Sequence, residues 1–515
     1  MSKVPRAFPL TVAMLGILIL TTCSYAKAGT SVWSPPPITA MISVEPGSSP
    51  IARVRGRFSR DRQADRQKSF TIAVAAAAIP LGDRIDDLKL LDRDDNPIPF
   101  RRIGPGEYLA DREIDGWSYT IALSPATDQR AAAHASWFSA DAGILMMGDL
   151  LPEFGPWSPR RPAWINLAPP AGSSVVGLPP IEDPTFYKLP KISGGRWYTV
   201  NDADEAVAFL GNDWRTHPIG KPSGAELTIS GQWNFSDKDG EEMIREILTE
   251  YSKLFRQGPP SGPRISLSRF PREMKHGQWE AETRGNVVTI ISSDMPFRTQ
   301  SLQRLHEQLR HELFHLWIPN GVSLTGNYDW FYEGFALYQS LKLAVGLNRI
   351  RFEDFLDTLS RAHTIDSAGS QRISLIQAST ARFSGANTQL YARGMLVGFL
   401  CDLALIEKSK GKKSVEDILR AILVKHRKPA QPADGNTAVI AELKLNLELV
   451  PVVEKYVTGA EKMDWATELA AAGIEDGDAG PKTTLRVKQK LSSRQKTTLD
   501  KLGYNNWRRS SRNSK

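Results

Sequence analysis

The stretch His311-Glu312-Leu313-Phe314-His315 places two histidines four residues apart, with a glutamate directly after the first. On an α-helix, positions i and i+4 share a face, so both imidazoles can reach one ion. Imidazole is a good Zn²⁺ ligand, and a catalytic zinc site needs three protein ligands and an open position for water. Glu312 would then lie beside that water, where its carboxylate can accept a proton. The pattern favours a zinc helix over the alternative, an exposed helix face with incidental histidines.

The next helical pattern, Asp329–Tyr338, offers a third ligand. Asp329 is expected to cap the helix, and Glu333 lies on a face that is otherwise apolar. Because turn-forming residues are frequent between positions 319 and 327, the chain can reverse and bring Glu333 back beside the two histidines. A glutamate on an apolar face is costly to bury unless it is paired or bound to a metal. Glu333 is therefore predicted as a ligand; the alternative is a surface glutamate favoured by the helix dipole.

Together, His311–Asn320 and Trp330–Tyr338 resemble the gluzincin metallopeptidases of the aminopeptidase N and leukotriene A4 hydrolase type. They also resemble the related glycyl aminopeptidases, which often carry a PDZ domain. Seventeen residues separate His315 from Glu333, one fewer than is usual in that superfamily. The resemblance implies that the two histidines and Glu333 bind one zinc ion and that Glu312 acts as the general base.

A second stretch, Leu390–Leu400, resembles the family helix whose tyrosine steadies the tetrahedral intermediate, and Tyr391 stands at that position. Arg393 replaces the usual lysine and keeps the charge. A phenol can donate a hydrogen bond to a developing oxyanion, and losing one such donor typically lowers the rate by about 10²–10³. The alternative is a core aromatic on an amphipathic helix. The following segments, 402–420 and 456–473, look like the glycyl aminopeptidase branch.

The stretch Gly277-Gln278-Trp279-Glu280-Ala281 is the closest match to the family strand that binds the free amino group of the substrate. Its first and fourth positions fit the family pattern, whereas its third and fifth do not. The resemblance implies that Glu280 pairs with the α-ammonium group and so favours aminopeptidase action. Glu282 competes for this role, and an exposed glutamate at a strand edge is the alternative.

The chain begins with features of an export signal. An apolar run at Leu10–Leu20 follows two basic residues and is too short to span a bilayer as a mature helix. We predict cleavage after Ala28; a lipoprotein anchored at Cys23 is the alternative. If Cys23 is removed, Cys401 is the only remaining cysteine and no intrachain disulfide can form. These features predict a secreted or periplasmic protein.

The net charge of +8 comes from the end of the chain. Residues 481–515 contain eleven Lys and Arg against Asp500 alone, which is +10 and leaves −2 for the rest. This polar tail is predicted to be disordered, and it either makes a weak contact with an anionic surface or is simply solvated. Export argues against a nucleic-acid partner.

With 515 residues, the chain is too long for one core. We predict a signal peptide at 1–28, a β-rich domain at 29–225, and a catalytic domain with a mixed part at 226–330 and a helical part at 331–478. The basic tail then occupies 479–515. The predicted class is α+β, with an N-terminal β-sandwich followed by a thermolysin-like catalytic domain whose C-terminal half is mostly helical.

Local patterns support this division. Trp117–Leu123 alternates like a half-buried strand. Asn234–Phe255 is an amphipathic helix with capping residues at its start. Strands are expected at Arg264–Leu267 and Val287–Ser292, and the zinc helix from about Gln300 to Leu316.

The predicted function is that of a secreted zinc-dependent peptidase, acting as an aminopeptidase on a peptide or protein substrate. Asn320 and Asp329 are candidates to orient the ligand imidazoles through hydrogen bonds. Two alternatives remain open at this point. One is a catalytically silent peptidase fold that serves as a binding or assembly module, and the other is hydrolysis of a non-peptide substrate.

Overall fold

The computed structural model describes most of the chain between Pro36 and Asn505. The ranges described are 36–59, 68–73, 75–76, 79–140, 142–153, 161–192, 194–220, 223–259, 262–368, 372–382, 387–477 and 482–505. The predicted signal peptide, its cleavage site after Ala28 and the alternative lipid site at Cys23 lie outside these residues. The α+β class is confirmed, because strands dominate the first half of the described chain and helices the second.

Two larger sheets of the first half share one apolar core, to which a three-stranded sheet of Ser69–Thr71, Glu107–Ala110 and Phe100–Gly104 also contributes. Strand Gly116–Ala122 shows how the sequence produces this arrangement, since Trp117, Tyr119 and Ile121 alternate with polar residues and all three are buried. In spatial order the larger sheet contains Arg196–Val200, Ala163–Ala168, Ile38–Glu45, Ile51–Phe58, Gly116–Ala122, Ile85–Leu91 and Pro97–Ile98, and the smaller sheet contains Trp137–Ser139, Ala142–Met146, Val207–Gly211 and Ser174–Val176.

A five-stranded mixed sheet follows. In spatial order its strands are Arg215–Gly220, Ala225–Ile229, Arg264–Ser268, Val287–Ser292 and Trp279–Arg284. Both strands predicted for this region are confirmed. Trp279–Arg284, which we call the edge strand, pairs antiparallel with its neighbour and ends the sheet. The predicted helix is also confirmed as Asp237–Phe255, and a capping box formed by Ser236 and Asp239 starts it.

The second half is mainly helical. Its longer helices are Arg298–Phe314, Asp329–Gly346, Phe352–Ala368, Asn387–Lys408, Val415–His426 and Gly435–Lys444. We call Arg298–Phe314 the zinc helix, Asp329–Gly346 the glutamate helix and Asn387–Lys408 the tyrosine helix. The tyrosine helix is long and apolar enough to cross a membrane, but 83% of its most apolar window is buried inside the protein. That degree of burial is typical of a core helix.

The backbones of the glutamate and tyrosine helices touch at two glycines. A methyl group added to Gly334 would lie 2.5 Å from the Cα of Gly394, and one added to Gly394 would lie 2.6 Å from the backbone oxygen of Trp330. Only hydrogen fits between the helices at this point. The contact therefore holds together the two helices that carry Glu333, directly before Gly334, and Tyr391, three residues before Gly394.

The tail prediction is wrong for the part of 479–515 that the structure describes. Leu485–Val487 pairs with Ile474–Asp476, and Ser493–Lys501 forms a helix. Leu485, Leu499 and Leu502 are buried and pack into the main core. Three leucines spread over eighteen positions give no recognisable period, so the sequence pattern did not reveal this packing.

We expect Gly394→Ala to lower the free energy of unfolding by about 1–3 kcal/mol, because the added methyl group forces the two helices apart. Thermal or urea unfolding measures this change. Gly346→Ala is the matched control on the glutamate helix, since no atom lies within 4 Å of its added methyl group. It should leave stability unchanged or slightly higher. Equal effects of the two substitutions would contradict the close contact.

Candidate active site

The three predicted ligands converge in the structure. The Nε2 atoms of His311 and His315 are 3.3 Å apart, and they lie 3.3 and 3.6 Å from Oε2 of Glu333. Bonds of about 2.0–2.1 Å to a tetrahedral zinc ion would separate neighbouring donor atoms by about 3.3 Å. All three residues are buried, and each directs one ligand atom toward the same point. The donor set therefore fits a zinc ion.

The zinc helix presents its histidines for a local reason. Leu305, Leu309 and Leu313 recur every four residues and are buried, which fixes the face that packs inward. His311 lies in the last turn of this helix, and His315 follows directly with helical dihedral angles. The helix ends within two residues of the predicted boundary.

The imidazoles are not oriented by the predicted partners. Nδ1 of His315 faces the backbone oxygen of Ile318 at 3.1 Å. A carbonyl only accepts, so Nδ1 carries the proton and Nε2 offers a lone pair toward the ligand cluster. Nδ1 of His311 is buried and has no hydrogen-bond partner among the described residues.

The two predicted partners contact other groups. The side-chain amide of Asn320 donates to the backbone oxygen of Thr283 at 2.9 Å, which ties the end of the zinc helix to the edge strand. Asp329 is the first residue of the glutamate helix, and Tyr328 holds the capping position. Both predictions, the cap and the imidazole contact, are therefore wrong, because the direction of a side chain depends on tertiary packing that a sequence pattern does not specify.

Glu312 is buried beside the ligand cluster. Its Oε2 accepts a hydrogen bond from the hydroxyl of Thr283 at 2.8 Å. Its Oε1 lies 3.9 Å from Nε2 of His311. One oxygen is thus held by the edge strand, and the other faces the ligand cluster.

An arginine that the sequence analysis missed organises the opposite side of the cluster. One terminal nitrogen of Arg382 donates to Oε1 of Glu333 at 3.0 Å and to the hydroxyl of Tyr391 at 2.7 Å. The other donates to Oδ1 of Asp329 at 2.5 Å and to the hydroxyl of Tyr332 at 3.3 Å. A single arginine outside any recognised motif gives no signal in the sequence.

These charges set the protonation states of the two neighbours of Arg382. Burial alone would raise the pKa of Glu333, but the guanidinium group of Arg382 and the two imidazoles outweigh it and hold the pKa well below its usual range. Burial and the nearby Glu333 carboxylate raise the pKa of Tyr391 well above its usual range, against the opposing effect of Arg382. Glu333 is therefore ionised, and Tyr391 keeps its proton.

Arg393, two residues beyond Tyr391, does not face the cluster. It is 1% exposed and pairs with Asp366 at 3.1 Å, and it also donates to the backbone oxygens of Tyr456 and Glu461. Its charge is retained inside the core, where it joins the tyrosine helix to the segments around it.

The edge strand forms one wall of the cavity. The ring of Trp279 meets His311 edge-on at 6.4 Å, and Thr283 contacts Glu312. Glu280 and Glu282 alternate with these residues and also line the cavity. Glu282 lies 2.6 Å from Nδ1 of His134 and 2.9 Å from the guanidinium group of its neighbour Arg284.

The competing candidate for amine binding is thus already paired. Burial would raise the pKa of Glu282, but Arg284 and His134 outweigh it and lower the pKa to about 2. His134 belongs to the N-terminal β-rich region, so this contact joins that region to the edge strand. The assignment of Glu280 to the substrate ammonium group stays a prediction.

The cavity around these groups has a volume of about 620 Å³ and is lined by both halves of the chain. Its charged lining is mainly acidic: the carboxylates are Asp149, Glu153, Asp204, Glu280, Glu282, Glu312 and Glu333, and the guanidinium groups are Arg284 and Arg382. Several of these acids have basic partners, yet acids outnumber arginines. A cavity of this composition favours a cationic group over an anionic one.

No protein-family model and no curated protein matches the sequence, whereas several solved structures share the fold. One is an aminopeptidase N family protein from Idiomarina loihiensis, with a TM-score of 0.68 and 14% identity over 89% of this chain and 82% of that one. Another is the M1 zinc metallopeptidase from Deinococcus radiodurans, with a TM-score of 0.52 and 14% identity over 83% and 93% of the two chains.

Native leukotriene A4 hydrolase from Saccharomyces cerevisiae is also similar, with a TM-score of 0.51 and 14% identity over 85% of this chain and 67% of that one. The chain therefore has the fold of the M1 zinc metallopeptidases and leukotriene A4 hydrolase, to which the zinc motif pointed. The likeness to the glycyl aminopeptidase branch stays a prediction.

We expect the purified protein to carry about one zinc ion per chain, measurable by mass spectrometry of the metal. Glu333→Ala should lose most of the metal, because it removes a ligand and leaves the positive charge of Arg382 closer to balance with Asp329 alone, beside the two imidazoles. Glu353→Ala, which changes an exposed glutamate on the next helix, should keep the metal. Full zinc content in the Glu333→Ala variant would contradict the third ligand.

Proposed function

We propose that this protein is a zinc-dependent peptidase that acts as an aminopeptidase and is exported from the cytoplasm. The observation that carries the proposal is the placement of Glu312 and Tyr391 in one cavity with three buried donor atoms at the separations of a tetrahedral zinc site. Zinc bound there would polarise a carbonyl group and lower the pKa of a bound water toward about 7.

Glu312 is proposed as the general base. Because Thr283 holds Oε2, Oε1 is the oxygen free to take a proton from the attacking water and return it to the leaving amine. The hydrogen bond also fixes the carboxylate plane, so the base needs no reorientation as the proton moves.

Tyr391 is proposed as the donor to the developing oxyanion. Its phenol keeps its proton, and its oxygen accepts a hydrogen bond from Arg382. The phenol hydrogen is directed at the Glu333 carboxylate in the cluster, and we propose that it turns to the oxyanion when a substrate is bound. Arg382 positions this hydroxyl and the Glu333 carboxylate together. Fixed donors of this kind stabilise the transition state more than the bound substrate.

The acidic cavity supports a substrate with a free amino end. Glu280 lines the wall of the cavity and occupies the fourth position of the stretch that resembles the amine-binding strand of the family. We propose that Glu280 contacts the α-ammonium group. A variant of the metallopeptidase from Deinococcus radiodurans, similar in fold with a TM-score of 0.53, has been solved with a Tyr-Ser-Ala substrate. A short peptide is accordingly the first substrate to test here.

We expect Glu312→Gln to keep zinc and lose nearly all peptide hydrolysis, because the amide has the same shape but no basicity. Tyr391→Phe should keep zinc and lower kcat by about 10²–10³ with little change in KM. Initial rates on a panel of aminoacyl and internally quenched peptides measure both effects. Near-normal turnover in either variant would exclude that residue from the mechanism. If the wild type held zinc but cleaved no peptide, the binding-module or non-peptide alternative would replace the proposal.

Glu280→Ala should lower kcat/KM for peptides with a free amino end, since it removes one partner of a partly buried charge pair. The corresponding loss of transition-state stabilisation should be about 2–5 kcal/mol. Hydrolysis of N-acetylated peptides should barely change. The control is Glu273→Ala, an exposed glutamate upstream of the edge strand. Equal losses on free and acetylated peptides, or a wild-type preference for blocked ones, would count against aminopeptidase action.

A further inference from the structure

A second feature of the molecule lies on its surface, at the end of the tyrosine helix. The last residue of this helix and the turn after it carry four exposed lysines, at positions 408, 410, 412 and 413. None of the four has an ion pair with an acid among the described residues. A run of like charges in a short turn is usually just a solvated surface.

The chain end brings more positive charge to the same place. Arg494, on the helix Ser493–Lys501, donates to the backbone oxygen of Glu407 at 3.2 Å and pairs with its carboxylate at 3.0 Å. The side chain of Lys501 lies against Gly411, since a methyl group there would sit 3.0 Å from its Cε. Arg494, Lys496 and Lys501 are all exposed. Two basic segments about eighty residues apart in sequence thus form one surface.

Exposed apolar side chains adjoin this charge. Leu445 is 71% exposed and Leu447 is 82% exposed, and the residue between them, Asn446, accepts a hydrogen bond from the ammonium group of Lys413 at 3.3 Å. A single exposed leucine is ordinary. Two leucines that project beside a lysine cluster form an amphipathic surface, which neither feature would form alone.

We infer that this surface, made of Lys408–Lys413, Leu445, Leu447 and Ser493–Lys501, binds the anionic face of a lipid bilayer. The exposed cations would lie among anionic headgroups, and the two leucines would enter the boundary between headgroups and acyl chains. The acids nearby are Glu407, paired with Arg494, Glu454, paired with Lys444, Asp500, which accepts a hydrogen bond from Asn505, and Glu448, so the exposed cations outnumber them. A bilayer supplies mobile anions next to apolar material, which matches this mixture without needing a partner of fixed shape.

Flotation of the full chain with vesicles tests the inference. The protein should bind vesicles of phosphatidylcholine with about one third phosphatidylglycerol, bind pure phosphatidylcholine weakly or not at all, and dissociate as salt rises. The triple variant Lys410→Glu, Lys412→Glu, Lys413→Glu should bind at least about 100-fold more weakly. Leu445→Ser with Leu447→Ser should weaken binding about tenfold or more at unchanged charge.

A matched control separates this surface from total charge. Lys188→Glu, Lys191→Glu, Lys238→Glu lowers the net charge by the same amount on other exposed parts of the chain and should bind vesicles almost as the wild type does. A polarity-sensitive fluorophore on Leu447→Cys should shift to the blue only with anionic vesicles. Equal losses in the two triple variants, or binding to an acidic polypeptide but not to anionic vesicles, would overturn the inference.

Discussion

The contact between Gly334 and Gly394 is the constraint on which the rest of the site depends. Helix axes normally stay 8–10 Å apart because side chains fill the space between them. Where both helices have glycine, their backbones meet. Glu333 directly precedes Gly334, and Tyr391 lies about one helical turn before Gly394, so a steric feature of the core holds close together the two helices that carry a metal-ligand candidate and a proposed oxyanion donor.

The close approach of the two helices would by itself bring carboxylates and phenols together without a positive charge, and Arg382 supplies that charge. Glu333, Asp329 and two phenols surround a small buried volume in which an unpaired carboxylate would be costly. The planar guanidinium group provides one donor for each of them. Lysine could not replace it, because its three donors radiate from one atom and cannot reach four acceptors spread across two helices.

The sequence predicted the parts of the site that rest on local spacing and left out those that rest on tertiary packing. His311 and His315 follow from helix geometry, and Glu333 from an acid on an apolar face. Arg382 was missed because its role exists only where distant segments meet. Asn320 and Asp329 were predicted as partners of the imidazoles, but the first contacts the edge strand and the second contacts Arg382.

The same distinction applies to the fold. Strands and helices with a clear period were predicted within a few residues, whereas the helix Ser493–Lys501 was predicted as disorder. The average hydropathy of this helix is that of a polar segment, although one of its residues, Leu499, is 0% exposed. A short element at a chain end needs only a few apolar contacts to dock when the core already exists, and so few contacts leave no periodic pattern in the sequence.

The N-terminal region contributes a charged contact to the cavity as well as part of its wall. His134 lies against Glu282, and its backbone oxygen accepts a hydrogen bond from Arg284 at 3.1 Å, so one residue of the N-terminal region holds the edge strand at two points. The pairing lowers the pKa of Glu282 and keeps its carboxylate ionised between His134 and Arg284. The N-terminal region thus fixes both the position and the charge of a residue that lines the cavity. The two halves of the chain therefore build the cavity together, and neither is an independent appendage of the other.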